Sequence, residues 1–157
     1  MGKFDALLAD INIEKRHNTD LCKELNQLQN ELKGKPSFSE LRAVGSILHD
    51  FYTGIEKIFE RIALVVDGDL PKGEDWHIQL LRRMTVSVPD RRPPVLTVDL
   101  GEVLSEYLSF RHLFRNIYGF ELKWERCQEL AMKLRAVSEK FIFQLEEFEK
   151  FLSEIGS

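Results

Sequence analysis

The chain has 157 residues, 43% of them hydrophobic and 31% charged, with a formal net charge of −4. That length suits one domain, the apolar share supplies a core, and the charged share gives a solvated surface, which excludes global disorder. The longest uncharged apolar run, residues 62–66, is far too short for a bilayer, the first residues lack the apolar core of a secretory signal, and Ala6 breaks the myristoylation pattern, so a cytoplasmic protein without membrane contact is expected.

Residues 4–33 predict one helix or two joined ones, because Leu21, Leu25, Leu28 and Leu32 recur at steps of four, three and four along one face. Gly34 and Pro36 end it. Ser37 or Ser39 can cap the next helix, and Ser37 has Glu40 three residues on, the spacing of a capping box. The second helix, about 38–66, carries the stripe Leu41, Val44, Leu48, Phe51, Ile55, Ile58, Ile62 and Val65. Asp67-Gly68-Asp69-Leu70-Pro71 then forces a turn. A shorter helix over about 74–85 buries Trp76, Leu80 and Leu81, and Pro89 to Pro94 form an extended loop.

The fourth helix starts near Thr97 or Asp99 and is expected to run to Tyr118, with Gly119 as its C-cap. The last, about 124–155, repeats Leu130, Leu134, Val137, Phe141, Leu145, Phe148 and Leu152 at helical spacing. No strand pattern, internal repeat or low-complexity stretch is evident. The expected fold is all-α, an up-and-down antiparallel bundle of about five helices in a single domain over 1–157.

Nucleotide-binding glycine loops, HExxH, GxSxG and paired CxxC motifs are all missing, so neither a metal nor a cofactor is expected. Cys22 and Cys127 read as reduced thiols. The four histidines are scattered, and the acids read as charges on solvent faces. Positive charge is concentrated over residues 77–118, where six arginines (82, 83, 91, 92, 111, 115) face four acids; this stretch carries +2 and the remainder −6. A local arginine-rich surface on an acidic protein could serve RNA.

On a helical wheel of the fourth helix, Leu100, Val103, Leu104, Tyr107 and Phe114 define the apolar stripe, and Arg111 and Tyr118 fall inside it. Burying a guanidinium without partners is costly. Arg111 must therefore pair with an internal carboxylate or snorkel outward, or its face must line a cleft or a subunit interface, with Arg115 one turn on.

The stretch 110–122, Phe-Arg-His-Leu-Phe-Arg-Asn-Ile-Tyr-Gly-Phe-Glu-Leu, resembles the motif of HepT-type toxins of the HEPN superfamily. That motif is Arg, a polar residue, three further residues, His, one residue, then Tyr. Arg111, His112 and Tyr118 match its Arg, polar neighbour and Tyr. Trp76-His77 followed by Leu80-Leu81, and the Arg-Pro-Pro-Val loop, are similar to the family as well, and the likeness covers roughly 38–155.

The resemblance implies a metal-independent ribonuclease site in the groove of a homodimer, with RNA as substrate. It also implies a small nucleotidyltransferase antitoxin of the MNT type, in a homodimer or a larger hetero-oligomer, that silences the toxin by adenylylating Tyr118. In that scheme Arg111, Asn116 and Tyr118 are the catalytic positions, and Arg111, His112 and Arg115 hold RNA phosphates.

One position departs from the pattern: the family's His is Asn116 here. An amide cannot transfer a proton near neutrality, although it can bind phosphate or orient a water. His112 is either a displaced general base or a polar helix residue. A straight helix sets Arg111 and Asn116 about 140° apart, so both face one cleft only if the helix ends near Asn116 or two subunits contribute. Two other functions stay open: a non-catalytic partner of the transferase or of RNA, and a plain helical scaffold.

Overall fold

The structure is a computed structural model describing residues 2–157. Five α-helices are found: α1 at Asp5–Glu31, α2 at Phe38–Ile62, α3 at Trp76–Met84, α4 at Val98–Asn116 and α5 at Trp124–Gly156. Among the described residues the only extended pairing is a single bridge between Val88 and Arg92.

The helix α2 begins where its sequence dictates. Ser37 Oγ accepts from the Glu40 amide at 3.2 Å, and Glu40 Oε1 accepts from the Ser37 amide at 2.8 Å. Two donors that a helix start leaves free are thereby satisfied. Its stripe then buries Val44, Leu48, Phe51, Ile55 and Ile62, but Val65 is exposed and Val66 is buried in its place. A π-helical turn at Ala63–Asp67 causes the change, because its wider winding takes in an extra residue and advances the register by one. Gly68, at φ 98°, closes the turn in the left-handed region.

Neighbouring long helices run antiparallel. Asp10 of α1 meets Arg61 of α2, while Glu14 lies against Gly54. Lys15 of α1 pairs with Glu146 and Glu149 of α5, Asn18 bonds Ser138, and Gln29 reaches the Ala131 carbonyl. Along α4, Thr97 meets Gln144 and Tyr107 donates to the Leu130 carbonyl of α5 at 2.8 Å. Phe114 of α4 packs on Gly45 of α2, and Arg111 on Thr53. The four long helices therefore close a ring in the order α1, α2, α4, α5, and α3 packs on α2 and α4. Edge-to-face pairs of Phe51 with Tyr107 and Phe59 with Phe141 sit in the core. Such pairs contribute about 0.5–1.5 kcal/mol each beyond their burial.

The arginine-rich stretch is less superficial than its sequence suggests. Arg92 is 3% exposed. It forms a bidentate pair with Asp67, Nε to Oδ1 at 2.6 Å and Nη2 to Oδ2 at 2.9 Å. Its remaining donors reach the carbonyls of Val86, Pro93 and Arg83. Arg83 pairs with Asp69, and Arg91 donates to the Val66 carbonyl. These three arginines fasten loops, two of them through ion pairs, whereas Arg82, Arg111 and Arg115 form no ion pair among the described residues.

Candidate functional site

Thr97 caps α4, accepting from the Leu100 amide at 3.2 Å, and the helix ends at Asn116, two residues short of Tyr118. Ile117 is extended (φ −122°, ψ 158°), so Gly119 is not the C-cap. Gly119 instead opens a 3-10 turn, Gly119–Glu121, with the Arg42 guanidinium filling the space that a side chain at 119 would need. Glu121 Oε1 accepts from the Tyr118 amide at 2.9 Å and holds the turn. Tyr118 consequently lies off the apolar stripe that the helical wheel assigned to it. Its side chain is 71% exposed and stacks on Phe120 with centroids 5.3 Å apart.

Arg111 does lie in the stripe. It is half-buried, and its Nε donates to Thr53 Oγ1 of α2 at 2.9 Å. Among the described residues it pairs with no carboxylate, and both Nη groups are free of protein partners. Of the alternatives open to it, the internal carboxylate is the one the described residues do not supply. Arg111 lines a groove of about 780 Å³ between α3 and α4, together with His112 and Arg115 from α4 and His77 and Arg82 from α3. Glu74, Asp75 and Glu102 also line it, so its charge is mixed. Gly101 permits the close approach of its two walls, because a Cβ there would lie 2.6 Å from Thr85 Cγ2.

Asn116 and Tyr118 do not line this groove. The Asn116 amide folds back on its own helix and donates to the His112 carbonyl at 2.7 Å, on an exposed surface. Within one protomer, then, the groove collects Arg111, His112 and Arg115 and leaves the other two motif positions outside.

A second pair was not legible in the sequence. Glu56 of α2 is 5% exposed, against the expectation that acids occupy solvent faces. His77 Nδ1 lies 2.9 Å from both of its carboxylate oxygens, and the imidazole lies against Trp76, tilted by 31° with centroids 3.7 Å apart. The sequence signals the burial of Glu56 alone, not its partner: position 56 falls four residues after Tyr52 and three before Phe59, on the buried face of α2.

Charge in this neighbourhood is shared. Burial pushes the Glu60 carboxyl above the usual range, and the charge of Glu56 adds to the effect, while His77 and Arg111 oppose it. Burial likewise raises the Tyr52 phenol, with Glu56 adding and Arg111 opposing, and its hydroxyl has no hydrogen-bond partner among the described residues. The planar guanidinium of Arg111, with two free edges in a groove, is suited to phosphate oxygens.

Burial also raises both thiols, Cys127 to about 11, and both are free. Among the described residues, no helix is long and apolar enough to cross a membrane.

No curated protein and no solved structure matches the chain. A family model described as HepT-like protein matches residues 43–152, taking in α2 from its second turn, α3, α4 and nearly all of α5. That span holds Thr53, Glu56, His77 and the whole motif from Arg111 to Tyr118 on one helical frame, and it covers well over half of the sequence: the chain belongs to the HepT-like proteins of the HEPN superfamily.

Proposed function

We propose that this protein is the toxin of a toxin–antitoxin pair, a cytoplasmic single-domain RNA endonuclease that works as a homodimer without a metal. The observation that carries this is Arg111, a cation on the apolar stripe of α4 with one neutral partner and two free edges in a groove. In this scheme the 2′-hydroxyl of RNA attacks the neighbouring phosphate, and Arg111 holds the phosphate oxygens as charge builds. His112 and Arg115, in the same groove, steady the flanking backbone. Ile78 and Val98 are exposed apolar residues lining the groove, and a second copy covering them would bring two such sites together.

Tyr118 is proposed as the regulatory position, adenylylated by a nucleotidyltransferase antitoxin. Its exposure on a short turn outside the helix leaves the phenol open to another protein's active site. The test is RNA cleavage by purified, unmodified protein, with Arg111→Ala expected to abolish it. Intact mass after co-expression with the transferase is expected to show an added adenylate that is lost in Tyr118→Phe.

A second function is favoured by Asn116, which is turned to its own helix and cannot titrate. Here the domain binds the transferase or RNA without cutting. Binding that persists with no cleavage at high protein concentration selects this alternative, and recovery of cleavage in Asn116→His identifies the missing base as the cause.

A further inference from the structure

From the pairing of two anchors on one face of α2, we infer that His77, oriented by Glu56, is the proton-transfer residue for RNA cleavage in the α3–α4 groove; this rests on the ribonuclease function proposed above.

Thr53 and Glu56 lie three residues apart on α2, so they are neighbours on one helical face. Thr53 holds Arg111 of α4 by its Nε. Glu56 holds His77 of α3 by its Nδ1. Two side chains from different helices are thus delivered to one groove, about one helical turn apart along α2, and both line it.

The chemistry of the pair is directional. An ionised Glu56 can only accept, so Nδ1 of a neutral His77 carries the proton and Nε2 presents its lone pair. Nε2 makes no hydrogen bond to any described residue. A buried carboxylate that fixes the tautomer and orientation of an imidazole, leaving the far nitrogen free, is the arrangement of an acid–base histidine. Contact with the Trp76 ring further restricts the imidazole. His112 lacks such support: it is exposed and its ring makes no hydrogen bond to a described residue, while its carbonyl is taken by Asn116.

In the proposed step, Nε2 of His77 removes the 2′-hydroxyl proton. The bond from O2′ to phosphorus forms, and the bond from phosphorus to O5′ breaks. The departing O5′ takes a proton from the imidazolium or from water. The products are a 2′,3′-cyclic phosphate and a 5′-hydroxyl, and no outside co-reactant is consumed. Arg111 stabilises the phosphorane charge. Glu56 is a positioning residue, and the family's motif position at Asn116 need not titrate for the cycle to close.

The test compares wild type, Arg111→Ala, His77→Ala, His77→Gln and Glu56→Gln on a single-stranded RNA, with thermal melts to check folding. Loss of a general base is expected to slow cleavage about 100-fold or more in both His77 variants. Added imidazole is expected to restore part of the rate in His77→Ala but none in Arg111→Ala, a rescue that a merely structural role does not give. Glu56→Gln is expected to lower kcat with KM unchanged. Should His77→Ala fail to fold, the near-isosteric His77→Gln carries the comparison. Wild type that cleaves, with Arg111→Ala dead and either His77 variant within about threefold of wild type, overturns this inference and leaves the ribonuclease standing. Loss of cleavage in a folded His77→Ala without imidazole rescue overturns it too. No cleavage by wild type at all overturns both.

Discussion

Arg111 and Arg92 show how differently one guanidinium can be used within a single chain. Arg92 spends every nitrogen on protein oxygens, two of them on a buried carboxylate, and so serves the fold. Arg111 spends one nitrogen on a hydroxyl and keeps the rest toward a groove. Sequence periodicity identifies Arg111 as out of place in an apolar stripe, but it cannot say which oxygen, if any, comes to meet it. Arg92, followed by two prolines in a loop with no periodicity at all, gives no such warning.

Glu60 illustrates the same limit and yields a measurable consequence. Its carboxyl is held above the usual range, chiefly by burial and then by Glu56. A carboxyl raised in the folded state contributes stability that is complete below the unfolded pKa and is lost as pH rises through the folded one. Glu60→Gln removes that loss. The variant is expected to melt higher than wild type at neutral pH, with the gap closing below about pH 4. Thermal melts across pH check this, and a gap that stays constant with pH contradicts it.

At the level of elements, the starts of helices were more legible than their ends. Ser37 with Glu40 caps α2 as its spacing predicts, and of the two starts open to α4, Thr97 or Asp99, the cap is Thr97. The ends were set by tertiary contacts instead. Gly119 resembles a cap, yet its missing side chain makes room for Arg42 of α2. The extra residue wound into the π turn at Ala63–Asp67 exchanges Val65 for Val66, and no local propensity announces it. The spacing of α3 from α4 is likewise a tertiary matter, fixed by Gly101 against Thr85. Gly101→Ala is expected to destabilise by about 1–3 kcal/mol, the usual cost of overpacking. Adding Thr85→Ser, which removes the opposing methyl, is expected to recover much of it. Denaturant midpoints of the two singles and the double complete the cycle; strict additivity would show that the contact is not what sets the spacing.

For the whole molecule, net charge is a poor guide to partners. The chain carries −4 and three acids line the groove, yet the groove also gathers Arg82, Arg111 and Arg115, and each lacks an ion pair among the described residues. If these three meet RNA phosphates, changing any one to Gln is expected to reduce the slope of log affinity against log salt by about 0.7. Titrations at several salt concentrations measure this, and a slope that does not move would place the RNA elsewhere. Class and architecture could be read from helical stripes alone, as could the anomaly at Arg111. The partnership of Glu56 with His77 could not, because it joins residues 21 apart on different helices and only the packing of α3 brings them together.

The excursion that carries α3 leaves the ring after Asp67 and returns past Arg92, and those two residues grip each other. It behaves like a strap buckled at its base by Arg92 on Asp67, with Arg91 on the Val66 carbonyl beside it. Cutting one side of a buried pair of this kind typically costs about 3–5 kcal/mol, and here the loss would fall on the strap before it reached the frame. Arg92→Ala should therefore invite proteases into residues 68–75 and 86–95 while the four long rods stay intact. One wall of the groove, and His77 with it, would come adrift although nothing in the groove itself had been touched.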